Sequence, residues 1–135
     1  MIHYNCMTRV QEINAERDAK LISELKKLPF DYWDFKDCDT HEYTHGIHSY
    51  PAMMVCPISR NIIRIMKSIM PVKSLLDPYA GSGTTLVEGM LAHIDYVTGN
   101  DINPLAIFLT KVKTTPVDIP TMPSLNFQVA GNTHL

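Results

Sequence analysis

Ser74-Leu-Leu-Asp77-Pro-Tyr-Ala-Gly81-Ser-Gly83-Thr-Thr85 is the stretch that decides the fold of this chain. Leu75 and Leu76 form an apolar stub of the length of a short strand. Gly81 and Gly83 follow it, and both tolerate positive φ and carry no Cβ, so a ligand can approach bare main chain. Thr84 and Thr85 then open a helix whose first N–H groups have no partner within the helix and point back toward the turn. A strand, a glycine turn and a helix in this order form a seat for a nucleotide-like cofactor.

Working outward, the helix after the turn runs from Thr84 to about His93, and a second strand is predicted at about Tyr96–Gly99, closing on Asn100-Asp101. Asn103-Pro104 then begins another helix, with Asn103 as N-cap and Pro104 in the first helical position. Its expected apolar face is Leu105, Ile107, Phe108, Leu109 and Val112. Upstream, Ile58, Ile62, Ile63, Ile65, Met66 and Ile69 recur at helical spacing until Pro71 stops them, and the first strand begins near Lys73. Helix, strand, helix, strand, helix is the α/β order of a doubly wound sheet with parallel strands. A right-handed crossover puts both strand C-termini on one side, where ligands bind in such sheets.

Residues 1–42 read as an N-terminal helix and an aromatic segment. Val10, Ile13, Leu21, Ile22, Leu25 and Leu28 make an amphipathic stripe that Pro29 terminates. Phe30-Asp-Tyr-Trp-Asp-Phe35 alternates rings and acids and either lines a base pocket by stacking or packs its rings on the core as a lid or edge. Thr44-His-Gly-Ile-His-Ser-Tyr-Pro-Ala52 is polar and turn-like, with Pro51 restraining Tyr50 to an extended shape. Residues 43–115 form the half-domain that carries the motifs. Residues 116–135, broken by Pro116, Pro120 and Pro123, read as an irregular or truncated tail.

With 45% apolar and 19% charged residues among 135, the chain has the composition of one folded domain. A net charge of −2 gives no overall basic field for gripping nucleic acid unaided. Cys6, Cys38 and Cys56 are odd in number and far apart, which disfavours a disulfide framework or a zinc knuckle. His45-Gly-Ile-His48 lacks the glutamate and the spacing of a hydrolytic zinc site, so no metal is expected. No signal peptide or apolar run of about 18 residues occurs. The expectation is a soluble, cytoplasmic product with no membrane partner.

Three cofactors compete for the turn. A phosphate-binding loop needs Gly-x-x-x-x-Gly-Lys-Ser/Thr, and there is no lysine here, which disfavours ATP and GTP. A dinucleotide fingerprint needs a third glycine where Leu86 stands, which disfavours NAD and FAD. S-adenosylmethionine carries an ammonium, a carboxylate and a ribose diol. Asp77, at the end of the first strand, suits the ammonium, and the glycine backbone suits the carboxylate. Asp101 suits the diol, standing 18 residues after Gly83 and close to the roughly 20-residue offset of ribose-binding acids. The plain alternative is that Asp77 caps the turn and Asp101 merely starts another.

Asp77-Pro-Tyr-Ala-Gly-Ser-Gly-Thr-Thr-Leu-Val-Glu88, followed by Gly-Asn-Asp101-Ile-Asn-Pro-Leu-Ala106, closely resembles the S-adenosylmethionine-binding half of the DNA amino-methyltransferases, which methylate N4 of cytosine or N6 of adenine. Thr44–Ala52 resembles the family's segment around the methionine end of the cofactor. The resemblance covers Tyr43 to Thr115. It implies an incomplete Rossmann-like class I methyltransferase fold, in which Asp77, Tyr79, Ala80, Gly81 and Gly83 line the methionine part and Thr84 is a further cofactor-binding residue. Asp101 would hold the ribose, Ile102 would pack on adenine, and His48, Tyr50 and Pro51 would close the site. DNA would be the substrate of the complete enzyme, in a restriction-modification setting.

The resemblance also implies a later Asp/Asn/Ser-Pro-Pro-Tyr-type loop that accepts hydrogen bonds from the target amine. This sequence has no Pro-Pro dipeptide. Asp77-Pro-Tyr79 lies in the cofactor turn, so no catalytic residue is assigned. The expectation is a cofactor-binding N-terminal portion, truncated or one part of a split enzyme. It would be silent alone and would depend on a complementing C-terminal chain. Its first strand would keep an open edge at Leu75 and Leu76. An RNA guanine methyltransferase fragment and a non-catalytic cofactor-binding subunit are the competing readings.

Overall fold

The computed structural model describes residues 3–51 and 53–117, with side chains described from Gln11 onward. The expected tail therefore lies outside the described residues from position 118, as does Ala52. In chain order the elements are α1 (His3–Lys26), a short 3-10 turn (His45–Ile47), α2 (Cys56–Ile69), β1 (Ser74–Asp77), α3 (Thr84–Leu91), β2 (Tyr96–Gly99) and α4 (Pro104–Thr114). β1 and β2 pair in parallel, with Ser74 opposite Tyr96 and Asp77 opposite Gly99. The result is an α/β unit in which α3 makes the crossover between two parallel strands. Among the described residues β1 has no other strand neighbour.

Local chemistry accounts for the element boundaries. Pro57 sits in the first turn of α2, where its missing N–H has no role. Asn103 caps α4 as the sequence implied, its Oδ1 accepting from the Leu105 N–H at 3.0 Å, and Pro104 is the first helical residue. Gly83 is the N-cap of α3 at φ 83°, and Gly81 lies at φ 52°. Both are in the left-handed region that disfavours side chains.

α3 is the hub of the molecule and packs against α2, α4 and both strands. Leu86 and Val87, 6% and 5% exposed, each contribute about 2 kcal/mol by leaving water. Cys56, Ile63, Ile65, Ala80, Ile94, Ala106 and Leu109 are also buried in the core. Two expected faces differ from the sequence reading. α4 turns Ala106, Leu109, Thr110 and Lys113 inward, while Leu105, Phe108 and Val112 are exposed. α1 packs on α2, and Ile13, Ile22 and Leu25 stay substantially in solvent. The aromatic segment packs ring on ring, Tyr32 on Trp33 edge-to-face at 5.0 Å. Trp33 also faces an apolar groove shared with Leu21, Leu25, Ile58 and Ile62 of α1 and α2.

Candidate cofactor-binding site

The glycine turn is held by hydrogen bonds that cross from one strand end to the other. Beyond the paired strands, the Asn100 N–H donates to the Asp77 carbonyl at 2.9 Å and the Ala80 N–H donates to the Asn100 carbonyl at 2.9 Å. The Gly83 N–H closes the turn on the Ala80 carbonyl at 2.8 Å. Asp77 uses one carboxylate oxygen to accept from the Tyr79 N–H at 3.0 Å. Asp101 spans the two motifs: Oδ2 accepts from the Gly81 N–H and Oδ1 from the Asn103 N–H, both at 2.8 Å. Those bonds, Asn103 first and Gly81 second, hold its carboxyl below the usual carboxylate range. Each oxygen has a second lone pair, so acceptor capacity remains for a ligand. Asp101 is thus both a structural tie and a free acceptor.

The turn's two faces are unlike. On one side Gly83 presses against α4, where an added Cβ would come within 2.9 Å of Thr110 Oγ1 and 3.2 Å of its Cα. Thr110 itself donates to the Gly81 carbonyl at 3.0 Å. On the other side a Cβ at Gly81 would meet only the Tyr50 ring, at 4.0 Å. Tyr50 is fixed there because its hydroxyl accepts from Asn103 Nδ2 at 2.8 Å. Main chain therefore lies bare beneath an aromatic ring, which suits a nucleoside ligand.

The residues singled out in the sequence fall into distinct groups. Tyr50, Gly81 and Asp101 come together around the turn, with Asp77 at the end of the adjoining strand. Tyr79 and Ile102 stand beside them at 87% and 99% exposure. Ala80 and Thr84 are buried, so what they present to a ligand is main chain. His48 and Pro51 are exposed. His48 is tied to the site through its carbonyl, which accepts from the Tyr50 N–H at 3.1 Å.

Behind the turn lies a polar network whose assembly the motifs that contain Glu88 and His45 do not reveal. Glu88 of α3, 2% exposed, accepts from Arg60 Nε and Nη2 at 2.9 Å each and pairs with His45 Nε2 at 2.9 Å. Arg60 continues to Glu42 at 2.7 Å, and the Glu88 carboxylate holds its guanidinium more firmly protonated than usual. His45, Cys56 and Glu88 form a buried trio whose ligand atoms lie within 4.8 Å of one another. Arg60 already neutralises the carboxylate, however, and burial pushes the Cys56 thiol up, away from the thiolate a metal needs. Lys113, 5% exposed, reaches Ser82 Oγ at 3.3 Å and the His45 carbonyl at 3.5 Å. Thr110 and Lys113 escape a sequence reading because they look like ordinary polar positions of α4. The one signal in the sequence is their three-residue spacing, which puts them on one helix face.

Comparison with known proteins finds relatives of one kind. Over 107 residues, 76% of the chain, the sequence is 44% identical to the Type II methyltransferase M.MvaI of Kocuria varians, of which it covers 23%. Over 123 residues, 90% of the chain, it is 28% identical to the Type II methyltransferase M.MjaII of Methanocaldococcus jannaschii, covering 22% of that protein. No protein-family model and no solved structure matches the chain. The chain therefore matches part of two Type II methyltransferases, in line with the methyltransferase resemblance carried by the two motifs. It spans under a quarter of the length of the relatives it matches. Among the described residues no helix is long and apolar enough to cross a membrane.

Proposed function

We propose that this chain is the S-adenosylmethionine-binding part of a DNA methyltransferase that modifies an exocyclic base amine, N4 of cytosine or N6 of adenine, within a class I methyltransferase fold. The observation that carries the reading is the junction at Gly81. There the acids ending both parallel strands meet one bare glycine turn, beneath Tyr50. Asp77 would attract the ammonium of the amino-acid end, and the spare lone pairs of Asp101 would accept from the ribose diol. Ile102, almost wholly exposed, would cover one face of the adenine. S-adenosylmethionine supplies the methyl group, and this chain's share of the reaction is to bind and orient it.

The chain holds no Pro-Pro-Tyr-type loop. In this reading, acceptors for the target amine and contacts to DNA come from another part of the complete enzyme. Such acceptors favour the pyramidal nitrogen that attacks a methyl group in line. The target base must leave the duplex stack to be reached.

Calorimetric titration with S-adenosylhomocysteine tests the proposal. The wild-type chain is expected to bind it, and Asp101→Ala to lose at least tenfold in affinity, with circular dichroism confirming that both are folded. A folded wild-type chain that gives no binding, or that prefers NAD, would refute the assignment.

A further inference from the structure

Lys113 is a buried lysine with no counter-charge within ion-pair distance among the described residues, and burial pushes its pKa below the usual value. Its polar neighbours are Ser82 Oγ at 3.3 Å, the His45 carbonyl at 3.5 Å and Met53 Sδ at 4.0 Å, all neutral. Among the described residues no carboxylate lies within ion-pair distance of it. Neutral acceptors satisfy N–H groups but leave the charge in place, and an uncompensated buried charge is costly to hold. The local consequence is a positive potential centred just beneath Ser82, between the two glycines of the turn. The free N–H groups at the start of α3 add to it with the same sign. At the end of β1, Asp77 contributes the opposite sign, with a single bond to the Tyr79 N–H.

We infer that Lys113 is a specificity-determining residue, whose charge, acting through the turn from beneath Ser82, selects nucleoside ligands bearing a free carboxylate. This deepens the cofactor reading above and rests on it. A ligand with an ammonium and a carboxylate on one carbon matches a site that is negative at Asp77 and positive at Ser82. A phosphate matches it less well, because Asp77 and Asp101 repel a doubly charged group while Lys113 offers one positive charge. Lys113 is too buried to touch the ligand broadly, so its effect passes through Ser82 and the electrostatic field.

The same lysine also ties α4 to the 3-10 turn and to the glycine turn, so loss of binding alone would not separate charge from architecture. A comparison of two ligands does. Affinities for S-adenosylhomocysteine and for 5′-methylthioadenosine, which lacks the amino-acid end, are measured on the wild-type chain, Lys113→Met and Lys113→Arg. The wild type is expected to prefer S-adenosylhomocysteine. Lys113→Met should weaken that ligand about tenfold while leaving methylthioadenosine within about twofold, and Lys113→Arg should keep the preference. If Lys113→Met does not fold, Lys113→Gln removes the charge and keeps a partner for Ser82. Equal weakening of both ligands would make Lys113 purely architectural and overturn the proposal, as would no change in either. Equal wild-type affinities would also overturn it while leaving the adenosyl site standing. Binding of neither ligand would refute the cofactor reading, and this proposal with it.

Discussion

From Ala80 to Gly89 nearly every residue is buried, whereas from Gln11 to Lys20 every residue of α1 is exposed. Both segments begin from plain local signals, a glycine turn in one and an apolar stripe at helical spacing in the other. The turn's signal is steric: Gly81 and Gly83 lie at φ 52° and 83°, in the left-handed region that favours glycine. Gly83 has no room for a side chain against Thr110, and the strand ends lock around both glycines by hydrogen bonds. The signal in α1 is only a preference for helix with one greasier side. That side is buried only where an opposing surface exists, and among the described residues α2 is the main element that meets it. A stripe predicts a helix well and its burial poorly.

Substitutions should magnify this contrast. Gly83→Ala should have the largest effect. A side chain there suffers left-handed strain and comes within 2.9 Å of Thr110 Oγ1 and 3.2 Å of its Cα. A loss of about 2–4 kcal/mol in urea-induced unfolding is expected. An effect below about 0.5 kcal/mol would mean that the turn is held far more loosely than its contacts imply.

Acid should act next, through Asp101. Its carboxyl is lowered in the folded chain by the Asn103 and Gly81 N–H groups. Its contribution is therefore complete above the unfolded value of about 3.9 and disappears as pH falls through the folded value. Unfolding midpoints followed from pH 6 to pH 3 should decline more steeply for the wild type than for Asp101→Asn below about pH 4. Parallel curves would remove Asp101 as the tie between the motifs.

The smallest effect belongs to α1. Ile22, half exposed in the stripe, should tolerate replacement by serine within about 0.5 kcal/mol and with an unchanged far-ultraviolet spectrum. A loss of 2 kcal/mol or more would show that α1 is covered in solution by something other than α2.

Much of the motif region was legible residue by residue. β2 spans Tyr96–Gly99 as read, β1 is shifted by one residue to Ser74–Asp77, and α4 starts at Pro104 behind its Asn103 cap. α3 stops at Leu91, short of the expected His93, which sits at φ 54° and ends the helix. The candidate site was legible at Asp77, Gly81, Gly83 and Asp101, where residue type and spacing speak together. Tyr50 was marked by resemblance, and its hydrogen bond to Asn103, 53 positions along the chain, explains how it reaches the turn. The inward face of α4 was not legible because hydrophobicity pointed to Leu105, Phe108 and Val112, all of which are exposed.

Sequence by itself determined the strand-turn-helix unit, its positive-φ glycines, the cap of α4 and the family to which the two motifs point. All of these rest on sterics and hydrogen bonding within a few residues, where the chain has little choice. Only the tertiary structure decided that Asp101 ties the Gly81 and Asn103 amides, and that Glu88 is buried against Arg60 and His45. It alone placed Lys113 beneath Ser82. A polar side chain can be buried only when its partners arrive from distant positions, 28 residues away for Arg60 and Glu88 and 31 for Lys113 and Ser82. No local pattern encodes that meeting.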